Sequence, residues 1–135
     1  MRPLLCLLIS AFFLLAACSE KKLVKRIPGS WYIDHYDEYS AEKQSTTGHA
    51  LDGAGYMFFT KHGEARRRLL PVKPHGSLAP YTGYRWSVQD TLISITDGGG
   101  RLVEEWLITK QLADYMEWVS VNASRDTVRT MYLKR

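Results

Sequence analysis

The sequence predicts an all-β domain, an eight-stranded up-and-down antiparallel barrel with little helix. Three observations lead to it. Beyond residue 28 the apolar period is two rather than 3.6, in short segments rich in Tyr, Trp, Ile and Val. Short turn sequences separate most of these segments, so neighbouring strands pair as hairpins. A meander of eight such strands removes its two unpaired edges by closing on itself.

The chain opens outside this domain. Behind Arg2 runs an apolar stretch from Leu4 to Ala17, ending Leu15-Ala16-Ala17-Cys18. It falls short of the roughly 20 apolar residues that span a bilayer. It has the build of a secretory signal whose processing site is a cysteine. Leu-Ala-Ala-Cys resembles the lipobox of bacterial lipoproteins. That resemblance implies cleavage after residue 17 and acylation of Cys18, and more than one acyl chain holds a protein stably on a membrane. Ser19 rather than Asp follows the cysteine, which by the same resemblance favours the outer over the inner membrane of a bacterial envelope. Residues 1–17 are then the signal peptide and 18–27 a tether carrying Lys21, Lys22, Lys25 and Arg26. These cations either meet anionic headgroups or simply keep the tether solvated. Pro28-Gly29 breaks the chain before the barrel domain, 28–135.

Strands are expected at 30–36, 55–61, 64–70, 83–88, 91–96, 101–109, 115–121 and 127–134. Lys61-His62-Gly63-Glu64 turns the second into the third, with Gly63 free to take positive φ. Gln89-Asp90, then Asp97-Gly98-Gly99-Gly100, then 122–126 close later hairpins. Two stretches do not read as strands. Residues 40–55 are polar and glycine-bearing, fit for a lid loop or a short helix. Residues 71–83 hold Pro71, Pro74 and Pro80, which donate nothing to a ladder. Loops of this length in a compact domain are often functional.

Composition excludes several chemistries. The only cysteines are Cys6, in the signal, and Cys18. Thiol catalysis, cysteine zinc sites and disulfides are therefore not expected in the barrel, and its stability must rest on apolar burial. All four tryptophans and all eight tyrosines lie beyond Cys18. A net charge of +4 over 135 residues, without long basic blocks, does not point to nucleic acid. His35, His49, His62 and His75 lack metal-site spacing, so neither a metal nor a cofactor is expected. No nucleophile triad or phosphate loop appears.

Gly29-Ser30-Trp31 at the start of the first strand, the hairpin Trp86-Ser87-Val88 to Leu92-Ile93-Ser94-Ile95, and the ending Tyr132-Leu133-Lys134-Arg135 resemble the small bacterial lipocalin-like lipoproteins. The resemblance covers about residues 28–135. It implies a calycin-type barrel, closed at one end and apolar inside. Gly29 and Trp31 then mark the closed end, where the tryptophan packs beneath a late arginine. Arg129 and Arg135 are both candidates.

Within the barrel, Tyr56, Phe58, Tyr84, Trp86 and Trp106 are the candidate ligand-binding residues, because pockets are mostly apolar and aromatic. An eight-stranded barrel is also narrow enough to be filled by side chains. In Arg66-Arg67-Arg68, strand alternation sends Arg67 to the face opposite Arg66 and Arg68. An inward arginine would suit an anionic ligand; outward arginines would face solvent and discourage edge pairing. One of Glu104 and Glu105 must also turn inward, and a buried glutamate needs a partner such as arginine. Asp34, Asp37 and Glu38, near Tyr36 and Tyr39, are either paired acids for hydrolysis or a solvated strand end.

The expectation is a non-enzymatic lipoprotein, held on the bilayer through Cys18, whose barrel binds a small apolar or amphiphilic ligand. The competing expectation is a solid barrel that acts as an interaction module for another envelope protein.

Overall fold

The computed structural model describes residues 24–40, 45–46, 53–71, 78–121 and 127–135. Cys18, the apolar stretch before it, His49 and His75 lie outside them. Nine strands follow in order: β1 (Gly29–Ser40), β2 (Ser45–Thr46), β3 (Gly55–Phe59), β4 (Glu64–Leu69), β5 (Tyr81–Gln89), β6 (Leu92–Thr96), β7 (Leu102–Gln111), β8 (Tyr115–Ser120) and β9 (Thr127–Lys134). All pairings are antiparallel between chain neighbours, except that β1 pairs with β3 by its first half and with β9 by its second. The β1–β9 ladder closes the sheet. The result is an eight-stranded barrel, an architecture compatible with a calycin-like fold.

The tiny β2 is the ninth strand, and it corrects the expectation for 40–55. Ser45 and Thr46 pair with Ser40 and Tyr39, extending the end of β1. Residues 41–44 and 47–52, like 72–77 and 122–126, lie outside the description. The first strand also runs four residues past the expected end, because β9 continues to pair with it as far as Thr127.

Turn chemistry fixes the hairpins. Asp90 adopts φ 55° in the two-residue turn between β5 and β6, a conformation that Asp tolerates better than most residues. Asp97 accepts hydrogen bonds from the amides of Gly99 and Arg101 at 3.0 and 2.9 Å, tying the glycine run into one ordered turn.

Strand alternation then sorts the side chains. Trp31, Ile33, Met57, Phe59, Trp86, Ile93, Ile95, Trp106, Ile108, Met116, Trp118, Met131 and Leu133 turn inward and form one buried cluster. The ladders carry four register shifts among the described residues, and two of them bear on the site. A register shift between Ile33 and His35 puts Tyr36 inside rather than His35. A second, between β4 and β5, sets Arg66 against both Thr82 and Gly83.

One end of the barrel is plugged. Trp31 is fully buried and donates its indole N–H to the Ile27 carbonyl at 2.8 Å. The Arg135 guanidinium lies 4.4 Å from the Trp31 ring centroid and donates to the carbonyls of Arg26 and Pro28. Of the two candidate arginines, Arg135 takes this place. Arg129 stands inside the other half, 5.8 Å over Trp106. Gly29 has φ +126°, and a Cβ there would approach Arg135 to 3.1 Å, so glycine suits both the backbone and the neighbour.

Candidate functional site

The far half of the barrel is polar where the plugged half is not. Its centre is Arg67, which β4 turns inward between two outward arginines, as alternation requires. The Arg67 side chain is buried and donates two parallel hydrogen bonds to Glu104, both at 2.7 Å. Its Nε–H faces the Met57 sulfur at 3.1 Å and its Nη1 also reaches the Ala79 carbonyl at 3.3 Å. The guanidinium stacks 4.6 Å from the Tyr81 ring centroid, and Tyr81 lies flat on Tyr84 at 4.7 Å.

This pairing satisfies the requirement that an inward glutamate find a cation. Burial alone would push the Glu104 carboxyl up. The Arg67 hydrogen bonds and charge, the Trp106 indole N–H at 2.9 Å and the nearby Arg129 outweigh burial and hold it below the usual range. Burial likewise opposes charge on Arg67, yet its electrostatic partners keep its pKa raised. Burial pushes the Tyr81 hydroxyl above its ordinary value. Tyr36, buried beside this network, donates to Glu38 at 2.7 Å.

The bulge opposite Arg66 opens a cleft in the wall. It has a volume of about 530 Å³ and is lined by Phe58, Arg66, Arg67, Arg68, Leu69, Pro80, Tyr81 and Thr82. That lies within the roughly 300–1,000 Å³ of small-molecule sites. A second hollow of about 390 Å³ shares Phe58, Arg66 and Thr82 and continues past Gly83 toward Glu64. Gly83 has φ +71° and open space around its missing Cβ, so the bulge leaves the groove clear.

The expected aromatic stripe is divided. Trp86 and Trp106 are buried in the core, where their indoles donate to the Thr60 carbonyl at 3.0 Å and to Glu104. Tyr84 is half-buried on Tyr81. Tyr56 and Phe58 instead stand on the outer wall, a correction to their place in an inner lining. The register of β3 turns Met57, between them, inward. Phe58 lies beneath Arg66, whose guanidinium is 4.5 Å from its ring centroid, and of the two outward rings only Phe58 lines the cleft. Sequence reasoning missed Tyr81, Leu69, Pro80 and Thr82. Pro80 had marked 71–83 as loop, but β5 begins immediately after it, and the bulge at Thr82–Gly83 places Tyr81 on the face of Tyr84 and Trp86.

The acids near residue 37 are dispersed by the β1 bulge. Asp34 pairs with Lys134 at 2.9 Å and Asp37 with His35 at 3.0 Å, while Glu38 joins Tyr36. Among the described residues no group of His, Cys, Asp and Glu could hold a metal ion. No protein-family model, curated protein or solved structure matches the chain.

Proposed function

We propose that this protein is a non-enzymatic, membrane-anchored lipoprotein of the bacterial envelope, on the outer membrane, whose lipocalin-like barrel binds a small amphiphilic ligand. The cleft between β4 and β5 carries the reading. It combines apolar contact from Phe58, Leu69, Pro80 and Tyr81 with cationic groups at its lip. The barrel supplies a rigid frame. Residues 26–28 adjoin the end that Trp31 seals.

Native mass spectrometry of the full chain purified from its cells tests the reading. The expected result is one small amphiphile per chain, beyond its own acyl groups. Thr82→Trp, which puts an indole into the cleft, removes it. A chain that carries no small molecule counts against the proposal.

A second reading has its own observation. Leu92, Leu107 and Val119 stand opposite one another on the outer wall of β6, β7 and β8. Leu107, Val103 and Val121 are each at least 40% exposed. An apolar row of this kind suits a protein partner of the envelope. Site-specific crosslinking from position 107 in intact cells, yielding one defined protein adduct, would favour that interaction module.

Anchoring rests on one sulfur. Cys18→Ser is expected to leave the precursor uncleaved and to abolish acylation. Labelling cells with a tagged fatty acid checks this: label retained on the Cys18→Ser chain refutes the lipid anchor.

A further inference from the structure

We infer that the ligand of the β4–β5 cleft is an anionic amphiphile, with its charged head between Arg66 and Arg68 and its alkyl part along Phe58, Leu69, Pro80 and Tyr81. The inference rests on the binding reading above and adds the sign of the head and its contacts. It begins from the unequal fate of three consecutive arginines. Arg67 is spent inside, since Glu104 engages it through two short bonds. It lines the cleft but brings no net charge there. Arg66 and Arg68 project outward from the same strand, and neither has a carboxylate partner among the described residues.

Strand geometry makes those two a pair. Residues i and i+2 stand on one face about 6.6 Å apart, from a rise of about 3.3 Å per residue. Two guanidinium groups at that spacing can close on one phosphate or carboxylate from both sides. Such charge-assisted hydrogen bonds are roughly twice as strong as neutral ones. Arg66 is already oriented by its stacking on Phe58, which lowers the cost of ordering it. The cross-strand neighbours of Arg66 and Arg68 are Phe58 and Tyr56, both aromatic. An anion here meets two cations and no acid on β3. Glu64 lines only the neighbouring hollow, on the far side of Arg66.

An apolar wall beside two unneutralised arginines fits a head-and-tail molecule better than a free anion. The wall of Phe58, Leu69, Pro80 and Tyr81 gives inorganic phosphate nothing, whereas an alkyl chain buries its methylenes against it. A cationic amphiphile would gain the same apolar contact and meet repulsion at the lip.

The test is calorimetric titration of the full chain, held in a non-ionic amphipol, with four probes, the ionic surfactants below their micelle concentrations and the alcohol below its solubility. These are dodecyl phosphate, dodecyltrimethylammonium, dodecanol and inorganic phosphate. Dodecyl phosphate is expected to bind best. Arg66→Gln combined with Arg68→Gln should weaken it at least tenfold, while Arg66→Lys with Arg68→Lys retains most of the affinity. Both arginines are exposed and form no ion pair among the described residues, so the variants should stay folded, with a small loss where Arg66 leaves Phe58. Added salt should weaken the parent and leave the glutamine variant nearly unchanged. Equal binding of the cationic and anionic probes, or an unchanged affinity in the glutamine variant, overturns the anionic head and leaves the binding reading standing. Binding of inorganic phosphate as tight as that of dodecyl phosphate shows a bare anion site and overturns the amphiphile. Absence of binding by every dodecyl probe overturns both readings.

Discussion

Arg67→Met is expected to destabilise the barrel by about 3–5 kcal/mol at neutral pH, the cost of leaving one partner of a buried ion pair uncompensated. The carboxylate left behind is the reason. Glu104 is only 13% exposed at its side chain and receives both of its shortest hydrogen bonds from Arg67. A domain of this size has roughly 5–15 kcal/mol in all, so the variant should be marginal in a urea melt. Arg67→Met combined with Glu104→Leu should recover most of the loss, because replacing both members of a buried pair with apolar groups is often close to neutral. If the double variant is as unstable as the single one, the Arg67 contacts to Met57, Tyr81 and Ala79 outweigh the ion pair.

The same pair sets the sign of a pH dependence. In the parent protein the Glu104 carboxyl is held below its ordinary range, so its stabilising contribution is complete above about pH 4.3, the unfolded value. It is lost as pH falls through the lower folded value. Without Arg67, burial becomes the dominant influence and the Glu104 pKa rises above the unfolded value. The Arg67→Met variant should therefore gain stability on acidification from pH 7 toward 5, where the parent gains none from Glu104. Melts at the two pH values separate the cases, and parallel curves for parent and variant would mean that Glu104 is better solvated than its packing indicates.

How much of this was legible depended on whether a feature follows from strand period alone. The eight main strands did, because alternating Tyr, Trp, Ile and Val between short turns is a local signal. So did the inward turn of one arginine from 66–68 and one glutamate from 104–105. That these two would meet was not legible, since they are separated by 37 positions and only barrel closure brings β4 and β7 across from each other. The bulges were illegible too. One extra residue at Thr82–Gly83 reverses the inner and outer faces ahead of it, which hid Tyr81 and the cleft. Gly83 was the only local sign, and a glycine in a strand does not say which neighbour turns inward. The outward face of Tyr56 and Phe58 was illegible for a simpler reason. Aromaticity alone does not mark the interior: β3 buries Met57, between them, together with Phe59. The choice between Arg129 and Arg135 depended on β9 register, which pairs Lys134 with Tyr32 and so brings the next residue, Arg135, beneath the plugged end.

Trp31→Ala should cost about 3–5 kcal/mol, the range for truncating a large buried aromatic, and should loosen the plugged end more than the polar half. Three interactions converge on this one ring. It is fully buried, its N–H is taken by the Ile27 carbonyl, and its face carries Arg135, which in turn holds the backbone of Arg26 and Pro28. Removing the ring therefore also frees the arginine and the segment it ties down. Trp31→Phe isolates the indole N–H, with an expected loss of about 1–3 kcal/mol from the smaller ring and the carbonyl left unpaired. Arg135→Ala should cost less, about 1–2 kcal/mol, since its cation–π contact is worth roughly 0.5–1 kcal/mol at an exposed site. Because the contacts are shared, Trp31→Ala with Arg135→Ala should lose less than the sum of the two. Urea melts of the three single variants and this double variant measure that coupling. Strict additivity would show that the ring and the arginine stabilise the barrel separately. Amide exchange then locates the damage: protection should fall first at Trp31, Ile33 and Phe59 and persist at Arg67, because the Arg67–Glu104 pair anchors the other half of the barrel independently.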